Sequence, residues 1–379
     1  KIIIKMKIIW LSEIKWSYLR TRKQHILSSF DNTDDILFVE PLSFNLKNKF
    51  NISIEKNIKY ITIPQAQNSD ISFINYLINF LPIKIIIKLL ATFLINRLLN
   101  KLNFKPNVII TSNVFWIDYL IILKNKLNLK IIYDCNDNPT AFPNSSNKKI
   151  LFLTTLKHAD QIIVPFKSYL NFIPKEYYSK IETISNGVDS KLILSSKVRE
   201  INFLKSKDKN IVMFIGSIDT RLDYVLINQL TSELSDIKFI FIGDIKRQVK
   251  SKFDKIKSYN NFFHINSIHY SEMGKYLNRA KVCIIPFKKN NLSKYILPNK
   301  VFEYSAIGKP FILTDFNQEL KDLNPDFLIA KNYQDFSKLI LDQIENPLDS
   351  KKLQKFASKY EWSLISKQFK SMILSTIKK

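Results

Sequence analysis

A chain of 379 residues with 58 Lys and Arg against 33 Asp and Glu carries a net charge of +25, and 46% of it is hydrophobic. That length allows two domains of roughly 150 residues each, and the apolar share is that of a globular protein with a sizeable core, which excludes a disordered chain. The two cysteines, Cys135 and Cys283, lie far apart; they fit no metal spacing and no disulfide framework, which points to a reducing compartment.

Lys1 to Trp10 is apolar but broken by Lys5 and Lys7, and no small-residue cleavage site follows. It therefore reads as a first buried strand rather than a secretion signal, with Met6 as a candidate start. In the first half, strands are expected at Lys7–Trp10, Ile36–Glu40, Tyr60–Ile63, Val108–Thr111, Lys130–Tyr133, Gln161–Val164 and Ile181–Ile184, with helical stretches between them. The segment Ile71 to Leu102 is strongly apolar, but Pro82, Lys84, Lys88 and Arg97 interrupt it, so no run of about 18 apolar residues is long enough for a membrane span. It is expected to form one or two core helices, the competing reading being an amphipathic helix lying on a membrane.

Asn186-Gly187 within Ser185-Asn186-Gly187-Val188-Asp189 is a turn signal, and a polar, lysine-rich stretch from Ser195 to Asn210 follows. Beyond it, strands are expected at Ile211–Ile215, Lys238–Ile242, Phe262–Ile265, Lys281–Ile285, Phe311–Thr314 and Phe327–Ala330. Strands alternating with helices imply parallel sheets covered on both faces, and two such sets imply two doubly wound α/β domains. The expected division is 1–188 and 189–359, with an amphipathic helix over 360–379 packing back on the first domain.

The charge excess fits an anionic membrane, an acidic substrate or nucleic acid, and equally a codon bias toward Ile, Asn and Lys. The lysines are scattered rather than massed, which argues against nucleic acid.

With only five glycines, the chain is expected to place them where a side chain would be harmful. Gly216 in Phe214-Ile215-Gly216-Ser217 and Gly243 in Phe241-Ile242-Gly243-Asp244 fall at carboxyl ends of strands, where open α/β sheets bind ligands; for Gly243 a plain tight turn competes evenly. No G-x-G-x-x-G and no Walker loop occurs, which disfavours a dehydrogenase or a P-loop nucleotidase.

The most informative stretch is Pro298-Asn299-Lys300-Val301-Phe302-Glu303-Tyr304-Ser305-Ala306-Ile307-Gly308-Lys309-Pro310. Pro298 pre-sets a first helical turn, Gly308 sits where a C-cap glycine belongs, and Pro310 forbids continuation. Lys300 and Glu303 are three apart, so both leave one helix face. A cation and a carboxylate there can hold a phosphate and a sugar hydroxyl.

This stretch, following an apolar strand that ends in Pro286-Phe287, resembles the nucleotide-sugar signature of GT-B glycosyltransferases of group 1, or family 4. Asn186-Gly187-Val188-Asp189 is similar to the linker motif of that group, and Phe214-Ile215-Gly216-Ser217 to its donor-diphosphate loop. Trp16 followed by Arg22-Lys23-Gln24-His25 resembles the teichuronic-acid and xanthan-type subgroup. The resemblance implies two Rossmann-like domains facing across a cleft, with the acceptor on the first and the donor, most plausibly a UDP-sugar, on the second. It implies that Lys300 contacts the donor phosphates, that Glu303 accepts from ribose or sugar hydroxyls, and that Gly216, Ser217, Asn299 and Arg221 complete the donor site. Asp137 in Tyr133-Asp134-Cys135-Asn136-Asp137 matches the position of the catalytic base, with Asp134 as the alternative and a helix-capping role competing for each. It further implies that no metal or other cofactor is required, that the acceptor is a growing surface polysaccharide or lipid-linked glycan, and that the enzyme is cytoplasmic and peripheral at an anionic membrane surface.

Two departures stand out. Tyr295 occupies the position where retaining relatives usually carry a second glutamate, and Ser217-Ile218-Asp219-Thr220-Arg221 lacks their usual Arg and Lys, Arg221 being the one substitute. Retention versus inversion stays open on sequence. The rival readings are a nucleotide-sugar 2-epimerase, which would need His264 or His269, and a non-catalytic glycan- or membrane-binding descendant of the fold.

Overall fold

Runs of four or five apolar residues, buried on both faces and too short for helices, form two separate sheets. The computed structural model describes residues 5–17, 20–43, 47–65, 80–141, 146–195 and 210–378. By contacts the chain divides into Lys1–Ile184 with Ser366–Lys379, and Ser185–Ile365. Residues 71–79 of the apolar segment and 196–209 of the lysine-rich stretch lie outside the described residues.

The first unit holds β1 (Lys7–Leu11), β2 (Asp35–Pro41), β3 (Ser53–Glu55), β4 (Ile58–Ile63), β5 (Val108–Thr111), β6 (Lys130–Asp134), β7 (Gln161–Val164) and β8 (Ile181–Thr183), in the order β3-β4-β2-β1-β5-β6-β7-β8. All neighbours are parallel except β3 and β4, which form an antiparallel hairpin at the edge. β3 escaped the sequence reading because Ser-Ile-Glu has no apolar run and its turn uses Lys56 at φ +55° instead of a glycine. The sheet order reverses beside β1, between β2 and β5. The helix Trp362–Lys378 starts in the second unit and, from Ser366, belongs to the first. There Phe369 stacks on Trp10 at 5.7 Å, Ser366 Oγ donates to the Ile26 carbonyl at 2.8 Å, and Lys370 pairs with Asp34 at 2.6 Å.

The second unit holds β9 (Ile211–Ile215), β10 (Lys238–Ile242), β11 (Phe262–Ile265), β12 (Val282–Ile285), β13 (Phe311–Thr314) and β14 (Leu328–Ala330), all parallel, in the order β11-β10-β9-β12-β13-β14. Its order reverses between β9 and β12, so the carboxyl ends of those two strands open the crevice where such sheets take ligands. The linker is pinned inside this unit. Val188 N–H donates to the Tyr360 carbonyl and Trp362 N–H to the Val188 carbonyl, each at 2.9 Å, and a Cβ on Gly187 would stand 2.5 Å from the Tyr360 oxygen.

The apolar segment yields a helix, Leu81–Lys101, that departs from the expected core helix. Near its carboxyl end it buries Ile95, Leu98 and Leu99, but one face of its earlier turns leaves Ile86, Leu89 and Phe93 bare at 62%, 63% and 59% exposure. Among the described residues, no helix is long and apolar enough to cross a membrane.

Candidate active site

The candidate site in the second unit is built on the seven-residue helix Lys300–Ala306. It begins at Asn299, whose carbonyl accepts from the Phe302 and Glu303 amides at 3.0 Å. It ends at Gly308, φ +71°, where Gly308 N–H reaches the Ser305 carbonyl and Lys309 N–H the Tyr304 carbonyl, the double closure that an αL residue permits. Between these ends, Lys300 Nζ lies 3.5 Å from Glu303 Oε2. Glu303 is 4% exposed, yet its Oε2 accepts no hydrogen bond from any described residue. A buried carboxylate is costly without compensation; here the adjacent ammonium supplies the charge, and the open lone pairs remain available to hydroxyl donors.

Two glycines make room for this pair. A Cβ on Gly216 would stand 2.8 Å from Lys300 Cε, so the bare backbone at the end of β9 is what lets the lysine lie across it. A Cβ on Gly243 would stand 1.9 Å from the Gly216 carbonyl oxygen. Gly243 is therefore a close backbone approach, not a plain turn. The Gly216 N–H is committed to the Ile242 carbonyl at 2.8 Å, so Gly216 serves the site through its missing side chain. Ser217 follows it at the strand end.

Arg221 is held in its own loop. Its guanidinium grips Asp219 through Nε to Oδ1 at 2.9 Å and Nη2 to Oδ2 at 2.6 Å, and it lies 5.5 Å over the Phe287 ring. Burial would raise the Asp219 carboxyl, but the hydrogen bonds and charge of Arg221 outweigh it and hold it below the usual carboxylate range. The loop is stitched to the end of β12 by Asp223 N–H to the Pro286 carbonyl at 2.8 Å and Lys288 N–H to the Arg221 carbonyl at 2.7 Å.

Four further contacts were not apparent from sequence. Buried Tyr304 accepts the Ile215 N–H at 3.1 Å and so fastens the helix to the glycine loop; the Glu-Tyr pairing in the motif was its only signal. Asn186 Nδ2 donates to the Leu297 carbonyl at 3.2 Å, tying the linker to the entry of the helix. His264 Nε2 meets the Gly243 carbonyl at 2.8 Å, and His269 Nδ1 meets Ser271 Oγ at 2.7 Å; both histidines thus have partners within their own unit.

In the first unit, β6 delivers Asp134, Cys135 and the loop to Asn138. Asp134 is wholly buried and paired with Arg22, Nε to Oδ1 at 3.2 Å. Burial pushes its carboxyl up, opposed by the charges of Arg22 and Lys23. Asp137 is exposed. The loop between them is fixed by Tyr169 OH, which donates to the Asn136 carbonyl at 2.5 Å. The locked pair makes Asp134 an anchor for the loop and leaves Asp137 as the accessible carboxylate.

The short helix Arg22–Ser28 carries the Arg-Lys-Gln-His run that resembled the subgroup. Its basic residues are buried rather than displayed: Lys23 pairs with Glu13 just past β1, whose other oxygen accepts from Ser112 Oγ at 2.5 Å. Nearby, Lys15 pairs with Glu40 at 3.1 Å. His25 is also buried, and its imidazole is pushed down to about 3, first by burial and then by Arg20.

The fold defined by these two doubly wound sheets is GT-B. It matches, over nearly full length, sucrose-phosphate synthase (tll1590) from Thermosynechococcus elongatus, with a TM-score of 0.73, 12% identity and coverage of 97% of this chain and 98% of that one. Anabaena Alr3699/HepE, solved in complex with UDP, superimposes with a TM-score of 0.69, 14% identity and coverage of 98% and 100%. The E. coli trehalose-6-phosphate structure bound with UDP-2-fluoro glucose gives a TM-score of 0.71, 12% identity and coverage of 96% and 98%.

Within that class, residues 209–346, which carry Gly216, Gly243 and the Lys300–Glu303 pair, match the glycosyl transferases group 1 family. TuaH of Bacillus subtilis (strain 168), assigned provisionally as a teichuronic acid biosynthesis glycosyltransferase, is 24% identical over 211 residues; the match covers 52% of this chain and 53% of TuaH, so the chain spans about half the length of that relative.

Proposed function

We propose that this protein is a glycosyltransferase that moves a sugar from a UDP-sugar to a hydroxyl of a growing surface polysaccharide or its lipid-linked precursor. The observation that carries this reading is the Lys300–Glu303 pair lying over Gly216 at the carboxyl end of β9, within the group 1 match. Lys300 sets its positive charge against the donor diphosphate, which needs it most as the leaving group departs. The open lone pairs of Glu303 Oε2 take hydroxyls of the ribose. Asn299 and Ser217 flank the same groups, and Arg221 shapes the loop through Asp219. The UDP bound to Alr3699/HepE and the UDP-sugar analogue in the E. coli structure support uridine as the base.

Asp137 is assigned the acceptor hydroxyl. As the oxygen attacks the anomeric carbon and the bond to the diphosphate breaks, the proton passes to its carboxylate; attack on the face opposite the diphosphate would invert the anomeric centre, and the configuration of the product tells inversion from retention. In this reading the leaving diphosphate is neutralised by protein charge, so activity persists in excess chelator. The acceptor sits at the inner face of an anionic membrane, in keeping with the +25 charge and the bare face of helix Leu81–Lys101.

The test is a panel of sugar nucleotides assayed for thermal stabilisation and for slow release of the nucleoside diphosphate. Stabilisation and hydrolysis with one UDP-sugar support the reading; a folded protein indifferent to the whole panel refutes it.

A further inference from the structure

Beneath the amino half of helix Leu81–Lys101 lies a cavity of about 230 Å³ within the first unit. That exceeds the roughly 150 Å³ of an apolar cavity that accommodates benzene. Its walls are largely apolar, with Ile87 and Ala91 from the helix and Trp116 and Leu151 from elsewhere in the unit.

Two buried polar groups on the lining find no hydrogen-bond partner among the described residues. Tyr119 is 3% exposed and its hydroxyl has no hydrogen-bond partner among the described residues. Gln65 accepts from Asn113 through Oε1 at 3.4 Å, while its buried Nε2 has no partner among them. An orphaned buried hydroxyl or amide costs about 1–3 kcal/mol, a cost a ligand would remove.

The polar chemistry of the cavity is one-sided. Tyr119 OH and Gln65 Nε2 can donate, Lys84 and Lys88 are cations, and the one acid among the described lining residues, Asp118, is paired with Lys88 at 3.2 Å. Donors and cations around apolar walls suit an anionic, oxygen-rich head on an apolar chain. The outer side of the same helix turns is the bare face of Ile86, Leu89 and Phe93, so a chain leaving the cavity would pass onto an apolar surface rather than into water.

From this juxtaposition of orphaned donors, lysines and apolar walls we infer that the cavity binds the phosphate and first carbons of a single-chain lipid phosphate, for which farnesyl phosphate is the probe, as the lipid end of the acceptor. The inference deepens the glycosyltransferase reading and rests on it for the word acceptor. The binding itself requires no donor and no transfer.

Trp116 lines the cavity and is 1% exposed, so it reports occupancy directly. The experiment titrates the full chain with a bromine-bearing alkyl phosphate and follows tryptophan quenching, with Trp116→Phe to isolate that component. Saturable quenching of Trp116, displaced by farnesyl phosphate but not by inorganic phosphate, is expected. Farnesol should displace about tenfold less well. Tyr119→Phe should weaken farnesyl phosphate binding several-fold while melting no lower than the parent, because its hydroxyl leaves no partner behind. Ala91→Leu, which fills the space, should abolish quenching, checked by an unchanged circular dichroism spectrum.

No quenching of Trp116 in the folded protein would overturn the inference. So would displacement by phosphatidylglycerol vesicles as effective as by farnesyl phosphate, which would make the site one for bulk lipid, or undiminished affinity in Tyr119→Phe. Quenching that follows expectation in a protein that hydrolyses no sugar nucleotide would leave the lipid site standing and remove the glycosyltransferase reading instead.

Discussion

Glu303 is the residue on which the proposed donor site turns, because it is buried and its Oε2 has no hydrogen-bond partner among the described residues while Lys300 stands 3.5 Å away. A charge-assisted hydrogen bond contributes about 1.5–3 kcal/mol. Lys300→Ala and Glu303→Gln are therefore each expected to weaken UDP-sugar binding about 10- to 100-fold as read by calorimetry. Unchanged affinity in both would detach the pair from the donor. Asp137→Asn is expected to spare donor binding and cut transfer by about 10²–10⁴, and normal transfer by that variant would remove Asp137 as base. His25 gives a pH signature. Its folded pKa, about 3, lies below the ordinary 6.5. Its contribution is fully present above pH 6.5 and declines as pH falls toward 3, because the unfolded chain takes the proton first, by about 1.4 kcal/mol per pH unit. His25→Gln should flatten the fall in stability over that window, and identical pH profiles for the two proteins would contradict the assignment.

At the level of elements, the helix Lys300–Ala306 works because the strand ends beside it carry no side chains. Gly243→Ala would drive a Cβ to 1.9 Å from the Gly216 oxygen. Backbone cannot yield as a side chain can, so a loss of about 3 kcal/mol is expected, with donor affinity falling in step; a variant that melts and binds normally would break the link between the two loops. The strands were legible because buried parallel strands are unbroken apolar runs: β5, β7, β9, β10, β11 and β13 run where the residues placed them. The hairpin strand β3 was not, since an edge strand of Ser-Ile-Glu has no such run. Glycine marked only some of the turns. Helices Leu81–Lys101 and Ile117–Leu127 close with Asn103 at φ +45° and Asn128 at φ +50°, which a search for glycine passes over. The Lys300–Glu303 contact could be read from a three-residue spacing. The locking of Arg22 on Asp134, 112 residues apart, could not, since nothing local encodes it. The same holds for helix Leu81–Lys101, whose composition gave its apolarity but not which turns would stay bare.

For the whole molecule, +25 charges and a bare apolar helix face point toward the same environment. A lysine near an anionic bilayer contributes about 1 kcal/mol, and the attraction decays within a Debye length of about 8 Å at physiological salt. Sedimentation with phosphatidylglycerol vesicles should therefore be strong at low salt and largely lost by about 0.5 M. Replacing both Leu89 and Phe93 with Glu should weaken it even at low salt, and vesicle binding indifferent to both changes would leave the helix face without that role. In the proposed reading, Asp137 of the first unit takes the acceptor proton and Lys300 of the second unit holds the donor phosphates. The measurement that tests this account most directly is the release of UDP from UDP-sugars by the parent protein and by Lys300→Ala. The account predicts slow release from one UDP-sugar by the parent and its loss in a variant that still folds. Release that survives Lys300→Ala undiminished, or a folded parent that releases none from any UDP-sugar, would contradict it.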